Sequence, residues 1–146
     1  MKTFLQPLQN LAEMEEIQKQ AKKNRGILEI SGCMESQKAH LMYGLSGLFP
    51  SHLVIAADEK TAKDLYEDYR FYDKRVYYYP AKDLLFFQAD IHGNLLIRQR
   101  MQVIRALLER QEEITVVTSI DGCMDYLLPL EKIEKQLIHF RNDSSL

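Results

Sequence analysis

The stretch ILEISGCMESQKAHLMYGL, residues Ile27 to Leu45, decides how the chain is expected to fold. Its opening residues, Ile27 to Ile30, are mostly apolar and predict a short β-strand, and from Lys38 onward apolar residues recur at helical spacing. Gly32 stands where the chain must turn between the two. The stretch therefore predicts strand, tight loop and helix, the setting in which phosphate-binding loops occur.

The loop keeps two of the four defining positions of the pattern G-x-x-x-x-G-K-[ST], namely Gly32 and Lys38. Gln37 places a long side chain where the backbone would have to lie against phosphate oxygens, and Ala39 has no hydroxyl for magnesium. Glu35 adds a carboxylate, and at roughly 5 Å from a phosphate charge its repulsion is about 3 kcal/mol at an effective dielectric of about 20. The loop is therefore predicted to be a relic that binds no nucleotide or other cofactor.

Two alternatives remain for these residues. Lys38 is an ordinary solvated residue of the first helical turn if the match is fortuitous. In a second alternative the chain is a stand-alone nucleotide-dependent enzyme that uses Lys38 on an atypical loop. Nucleotide binding distinguishes the enzyme from the relic.

Composition indicates one ordinary cytoplasmic domain. The chain has 146 residues, 46% of them apolar and 27% charged, with a net charge of −2 from 19 basic and 21 acidic residues. That balance lacks the positive field usual in non-specific nucleic-acid binders. Cys33 and Cys123 form no C-x-x-C pair, which argues against a disulfide framework or metal site. No signal-peptide core or membrane-spanning run is present, so we expect no export and no membrane partner.

Strands and helices alternate along the rest of the chain, which predicts an α/β domain with a parallel sheet and flanking helices. Asp58 is the expected N-cap of the helix that follows a strand at Leu53–Ala57, and Ser119 is the expected N-cap of the helix that follows a strand at Ile114–Thr118. The most regular helix is predicted to begin at Asn94. Its buried stripe is expected to be Leu95, Ile97 or Arg98, Met101, Ile104, Leu107 and Leu108, with arginines 98, 100, 105 and 110 around the other faces in solvent. Further strands are predicted at Leu53–Ala57, Val76–Tyr79 and Ile114–Thr118, the first and last of them buried on both faces.

The segment from Pro80 to Gly93 has no helical period and contains Phe86 and Phe87. Aromatic side chains could stack on the bases of a single-stranded nucleic acid, but Lys82 is the only basic residue nearby. Packing against the core or a partner is the preferred interpretation, and the nucleic-acid-binding module is kept as an alternative.

Catalytic and metal-binding patterns are missing from the sequence. Asp121 follows an apolar strand at too great a distance to be a magnesium ligand, and is interpreted as first-turn charge on a short helix that ends at Pro129. The four histidines are isolated, and no G-x-S-x-G elbow surrounds a serine. We predict no catalytic residue and no metal ligand.

Three regions are expected: an N-terminal helix over residues 1–25, an α/β domain over 26–129 and a C-terminal tail over 130–146. Pro7 is expected to open one helix, with Leu8, Leu11, Met14 and Ile17 at steps of three, that ends in the basic cluster Lys19 to Arg25 before Gly26. The tail becomes polar at its end, after a possible strand from Leu137 to Phe140, and it is expected to lead into a following domain absent here.

Four pieces in this order resemble the N-terminal region of the bacterial transcription-repair coupling factors, the Mfd family. They are the degenerate loop Ser31–Ala39, LVIAADEKTAKDLYEDYRFY (53–72), YYYPAKDLLFFQADIHGN (77–94) with the arginine-containing helix after it, and VVTSIDGCMDYLLP (116–129). The resemblance spans about Gly26 to Pro129. That region of the family is similar to the first domain of the excision-repair protein UvrB, whose phosphate loop is intact.

The resemblance implies a three-layer fold like that of P-loop NTPases, with Gly32, Glu35, Gln37, Lys38 and Ala39 as a relic loop. It implies a non-catalytic interaction module within a protein of nucleotide excision repair that displaces RNA polymerase stalled at DNA lesions. ATP, magnesium, DNA and RNA polymerase would be bound by helicase-like translocase and other domains downstream. UvrA would be recruited mainly through the next domain. The segment Tyr77–Asn94 is too short for the DNA-threading hairpin of UvrB, so damage verification is not implied.

Overall fold

The structure, a computed structural model, describes residues 5–23, 26–82, 92–109 and 113–136. Helices and strands alternate from the third helix onward, as the sequence predicts. The helices are α1 Gln6–Gln9, α2 Ala12–Lys23, α3 Glu35–Ser46, α4 Glu59–Tyr69, α5 His92–Leu108, α6 Ile120–Met124 and α7 Leu130–Gln136, and the strands are β1 Ser51–Ala56, β2 Val76–Tyr79 and β3 Ile114–Ser119.

The three strands form one parallel sheet in the order β1-β3-β2. Val54, Val117 and Tyr78 lie in one row across it, on the face that α4 covers. α3 packs beside α4, and α5 packs against β2. Tyr79 faces the opposite side of the sheet from Tyr78, because side chains alternate along a strand, and there it contacts Arg100 of α5. The α/β prediction is thus confirmed at the level of a parallel sheet with helices on both faces.

The first predicted strand is wrong. Ile27 to Ile30 adopts no regular structure, and Ile27 is fully exposed. A short extended segment needs a hydrogen-bonded neighbour to become a strand, and among the described residues β1 pairs only with β3. The turn and helix after it are confirmed. Gly32 has φ of +82°, which suits glycine, and α3 begins at Glu35 with Lys38 at the end of its first turn.

The prediction that both faces of the strand are buried is confirmed for β3 but is wrong for β1. Val117 is fully buried and Ile114, on the other face, nearly so. In β1, by contrast, Leu53 is 62% and Ile55 49% exposed. β1 lies at the edge of the sheet, and α5 covers the second face only at β2, the opposite edge.

The buried stripe predicted for α5 has the wrong phase. Leu95, Ile97 and Met101 are exposed, whereas Arg100, predicted in solvent, is buried. The helix carries apolar residues on most of its faces, so periodicity alone allowed two phases. Ile104 is buried as predicted, together with Val103 and Ala106, which were not predicted. Arg98 and Arg105 are exposed as predicted, and Arg110 lies outside the described residues.

The N-terminal region is two helices, because α1 ends at Asn10, whose N–H is bonded to carbonyls of α1. Leu8 and Met14 are buried on either side of this break. α6 ends at Met124 instead of Pro129, since Asp125 is already extended. The tail contains α7, and the strand expected at 137–140 falls outside the described residues, as do Phe86 and Phe87.

Candidate functional site

Ligands of open parallel sheets bind at the carboxyl ends of the strands, so that edge is the candidate site. In this protein the loop before α3, the first turn of α4 and the first turn of α6 meet the strands there. A cleft of about 930 Å³ lies between α3, α4 and the end of β1, lined among others by Glu35, Lys38 and Asp58. The sequence-predicted loop residues therefore do lie at a cleft.

One backbone N–H of the loop is bonded to a side chain of the protein itself. The N–H of Met34 donates to Oε1 of Gln37 at 3.1 Å, and the N–H of Gln37 donates to the carbonyl of Met34 at 2.9 Å. Backbone N–H groups are what a phosphate loop offers to its ligand. Gln37, which stands where the pattern has glycine, thus occupies one of those donors as well as adding bulk.

The lysine of the loop is also engaged. Nζ of Lys38 lies 2.6 Å from Oε1 of Glu35, one helical turn earlier. Both side chains are well exposed, so the pair adds little stability. Its consequence is electrostatic: the positive charge that would meet a phosphate is neutralised by an adjacent carboxylate.

The third departure from the phosphate-loop pattern is Ala39, which is buried. Ala39 is almost fully buried and belongs to the core between α3 and α4, with Ala62 and Tyr69 in the same cluster. The position at which a phosphate loop presents a metal-binding hydroxyl is here a methyl group packed in apolar surroundings. The structure thus places Gly32 in the turn before α3 and the other four predicted residues in the first turns of that helix.

Asp58 caps α4 as predicted. Its Oδ1 accepts a hydrogen bond of 2.7 Å from the N–H of Thr61, and this bond lowers the pKa of the carboxyl. Asp58 is therefore ionised at neutral pH and lies on the rim of the cleft. Together with Glu35, Asp64 and Asp68 it gives the cleft four carboxylates against two lysines, a balance that repels nucleotide phosphates.

A second group of residues, missed from the sequence, ties the three strand ends together through Glu59. Its carboxylate accepts hydrogen bonds from the Ser119 hydroxyl at 2.6 Å, from the Ala81 N–H at 3.2 Å and from the Tyr78 phenol. Burial, followed by the hydrogen bond to Glu59, raises the pKa of Tyr78, so the phenol keeps its proton. The only sequence signal was an acidic residue in the first turn after an apolar strand.

The Ser119–Glu59 contact is not the start of a catalytic arrangement. Ser119 is completely buried, and its oxygen also accepts the N–H of Gly122 at 3.0 Å as the N-cap of α6. The buried hydroxyl of Ser119 is thus engaged within the fold as both donor and acceptor. Through it and the other hydrogen bonds of its carboxylate, Glu59 joins the ends of β1, β2 and β3.

Arg100 fixes the position of residues 80–82, the segment that follows β2. Its Nη1 donates to the Pro80 carbonyl and to Oδ2 of Asp125, each at 2.7 Å, while its guanidinium lies 4.1 Å from the centre of the Tyr79 ring. Oδ2 of Asp125 also accepts the N–H of Lys82 at 2.8 Å. Burial by itself would raise the pKa of Asp125. The hydrogen bonds from Lys82 and Arg100 outweigh that effect, so the pKa is lowered. The sequence placed Arg100 on the wrong face of α5 and so missed this cluster.

Asp121 lies in the first turn of α6, as predicted, and is exposed. The described residues contain no group of three histidine, cysteine or acidic side chains arranged to hold a metal. None of the helices that the structure describes is both long and apolar enough to cross a bilayer.

Compared with known proteins, the chain matches no family model and no curated sequence. The resemblance to the coupling factors therefore continues to rest on the residues quoted above.

Proposed function

We propose that the chain is a UvrB-like N-terminal module of a transcription-repair coupling factor and acts as a non-catalytic scaffold. The proposal that the module is non-catalytic rests on the degenerate phosphate loop, where Gln37 accepts the N–H of Met34 and Glu35 pairs with Lys38. The order of motifs from Ser31 to Pro129 supports the family assignment. The parallel α/β architecture is compatible with it.

In this proposal the reaction belongs to other parts of a longer protein. Domains downstream would use ATP and magnesium to move along DNA and displace stalled RNA polymerase. The module in hand would contribute a rigid platform, because Glu59 and Arg100 fix the strand ends and the segment after β2. UvrA would bind mainly to the domain that follows.

UvrA binding tests this assignment. We expect the present chain to bind UvrA at least about tenfold more weakly, or roughly 1.4 kcal/mol, than a longer chain that includes the following domain. A standard interface needs about 800 Å² from each partner, more than one face of this module is expected to supply.

Interferometry with immobilised UvrA measures both chains. Equal affinities would mean that the UvrA surface lies within residues 1–146, with Tyr77–Asn94 the first segment to substitute. No binding by either chain would contradict the proposed family role.

The enzyme alternative has a definite requirement, which is tight magnesium-nucleotide binding that depends on Lys38. The nucleic-acid alternative depends on Phe86 and Phe87, outside the described residues. No observation in the described part of the chain favours either over the scaffold.

A further inference from the structure

A histidine stands at a core-facing position of β1. Side chains alternate along a strand, so His52 lies on the same face of the sheet as Val54 and Ala56. Those two residues pack in the core on that face, while the ring of His52 makes an edge contact with Phe49, 6.2 Å between ring centres. A titratable side chain therefore occupies a position where the alternation of the strand favours an apolar residue.

The surroundings of His52 leave one nitrogen of its ring unpaired. Nε2 is buried and has no hydrogen-bond partner. The ring borders a cleft of about 540 Å³ to which Ala21 of α2, Leu45 of α3 and Phe49 contribute, and no other charged or acidic side chain of the described chain lines it. An imidazolium has two N–H donors. A protonated ring held in this place would keep both a charge and a buried donor without a partner, which is costly.

Burial has the largest effect on this ring. It lowers the pKa of His52 from its ordinary value of 6.5, while the Ile114 carbonyl and the Asp73 carboxylate raise it by less. Oδ1 of Asp73 is already engaged, because it accepts the backbone N–H of Arg75 at 2.9 Å. Tyr69, which also lines the cleft, has a pKa raised by burial, so its phenol is neutral. His52 is thus the group of this cleft that mildly acidic pH charges.

We propose that His52 is an acid-sensitive switch at the amino end of β1: protonation drives its ring out of the apolar cleft and loosens α2 and the α3–β1 connection there. The imidazolium gains water as a hydrogen-bond partner only outside the cleft, so proton binding favours the open state. The carboxyl ends of the strands, which Glu59 and Ser119 tie together, should stay in place. The switch is a property of the fold and does not depend on the proposed function.

The direction of the pH effect follows from the pKa of His52 in the two states. Because that pKa is lower in the closed state than the 6.5 expected in water, the closed state is fully stable above pH 6.5 and weakens as pH falls below it. The weakening ends once pH is below the pKa of the closed state. The opening equilibrium shifts about tenfold for each unit between the two pKa values.

Hydrogen exchange followed by NMR measures this opening in the intact chain. Protection factors are compared at about pH 7.5 and about pH 5.0, a window in which ordinary carboxylates stay ionised. We expect protection to fall at least about threefold in α2 and at Leu48, whose N–H donates to the Leu45 carbonyl. At Gly122, whose N–H donates to Ser119 at the other end of the sheet, the change should be less than about twofold. No loss, or equal losses at the two ends, would overturn the proposal.

Two phenylalanine substitutions separate His52 from the other histidines. His52→Phe keeps an aromatic ring beside Phe49 but cannot be protonated, so the acid-induced loss of protection should disappear. His40→Phe is the matched control, since it removes another histidine while keeping a ring on Tyr72, and it should retain the loss. Persistence of the loss in His52→Phe, or its equal disappearance in His40→Phe, would contradict the switch.

Titration of the unsubstituted chain gives a test that needs no variant. The ring signals of His52, followed by NMR, should report a pKa below 6.5, and the loss of protection at Leu48 should develop as pH falls below 6.5. A pKa of His52 at or above 6.5 would show that the charged ring is accommodated in the closed state and would overturn the proposal.

Discussion

At the scale of single residues, the backbone is closely packed where α6 begins after β3. Gly122 shows this most clearly. A Cβ atom there would lie 2.5 Å from Oγ1 of Thr118, 3.1 Å from the Tyr79 carbonyl and 3.2 Å from the Ala81 nitrogen. Thr118 is itself held by a 2.7 Å hydrogen bond to that carbonyl. Glycine is required here by close approach of backbone, with no unusual φ involved.

We expect Gly122→Ala to lower the free energy of unfolding by about 1–3 kcal/mol, because the new methyl group must displace the hydrogen-bonded Thr118 hydroxyl and crowds the backbone of Tyr79 and Ala81. Gly47→Ala is the matched control: nothing lies within 4 Å of its added Cβ, and its φ of −71° suits alanine. That variant should be neutral or more stable by up to about 1 kcal/mol. Urea denaturation compares them, and equal stabilities would show that the packing around Gly122 is loose.

At the scale of elements, the sequence predicted what depends on local chemistry. The caps Asp58 and Ser119 and the stop at Pro80 were found because a side chain or a missing N–H acts on its own neighbours. Ile27–Ile30 was mispredicted because a strand depends on a partner that sequence does not identify. Arg100 was placed in solvent because its partners, Tyr79, Pro80 and Asp125, lie 20 to 25 residues away.

The Arg100 cluster should be the main support of the segment after β2. Asp125→Ala would leave the buried guanidinium without its carboxylate and is expected to cost about 2–3 kcal/mol of stability. Asp121→Ala removes an exposed carboxylate from the first turn of α6 and should cost less than about 1 kcal/mol. Thermal unfolding followed by circular dichroism measures both. A loss at Asp125 no larger than at Asp121 would contradict a supporting role for this ion pair.

At the scale of the whole molecule, the ends of the strands and the outer edge of β1 differ in how they are tied to the rest of the fold. The carboxyl ends are joined through Glu59, Ser119 and Arg100, and Gln37 accepts a hydrogen bond from the loop before α3. The outer edge of β1 has no such cover among the described residues. Strand ends tied by hydrogen bonds, beside a strand edge that no described residue pairs with, are compatible with the proposed interaction module.

Calorimetric titration with magnesium-ATP tests the central claim, that the loop from Gly32 to Ala39 no longer binds nucleotide. Since Gln37, Glu35 and Ala39 remove backbone access, free positive charge and the metal ligand, we expect no binding tighter than about 1 mM. Lys60→Ala, in the same cleft, is the control for Lys38→Ala. A micromolar dissociation constant that is lost in Lys38→Ala and kept in Lys60→Ala would contradict the account and establish the chain as a nucleotide-binding protein.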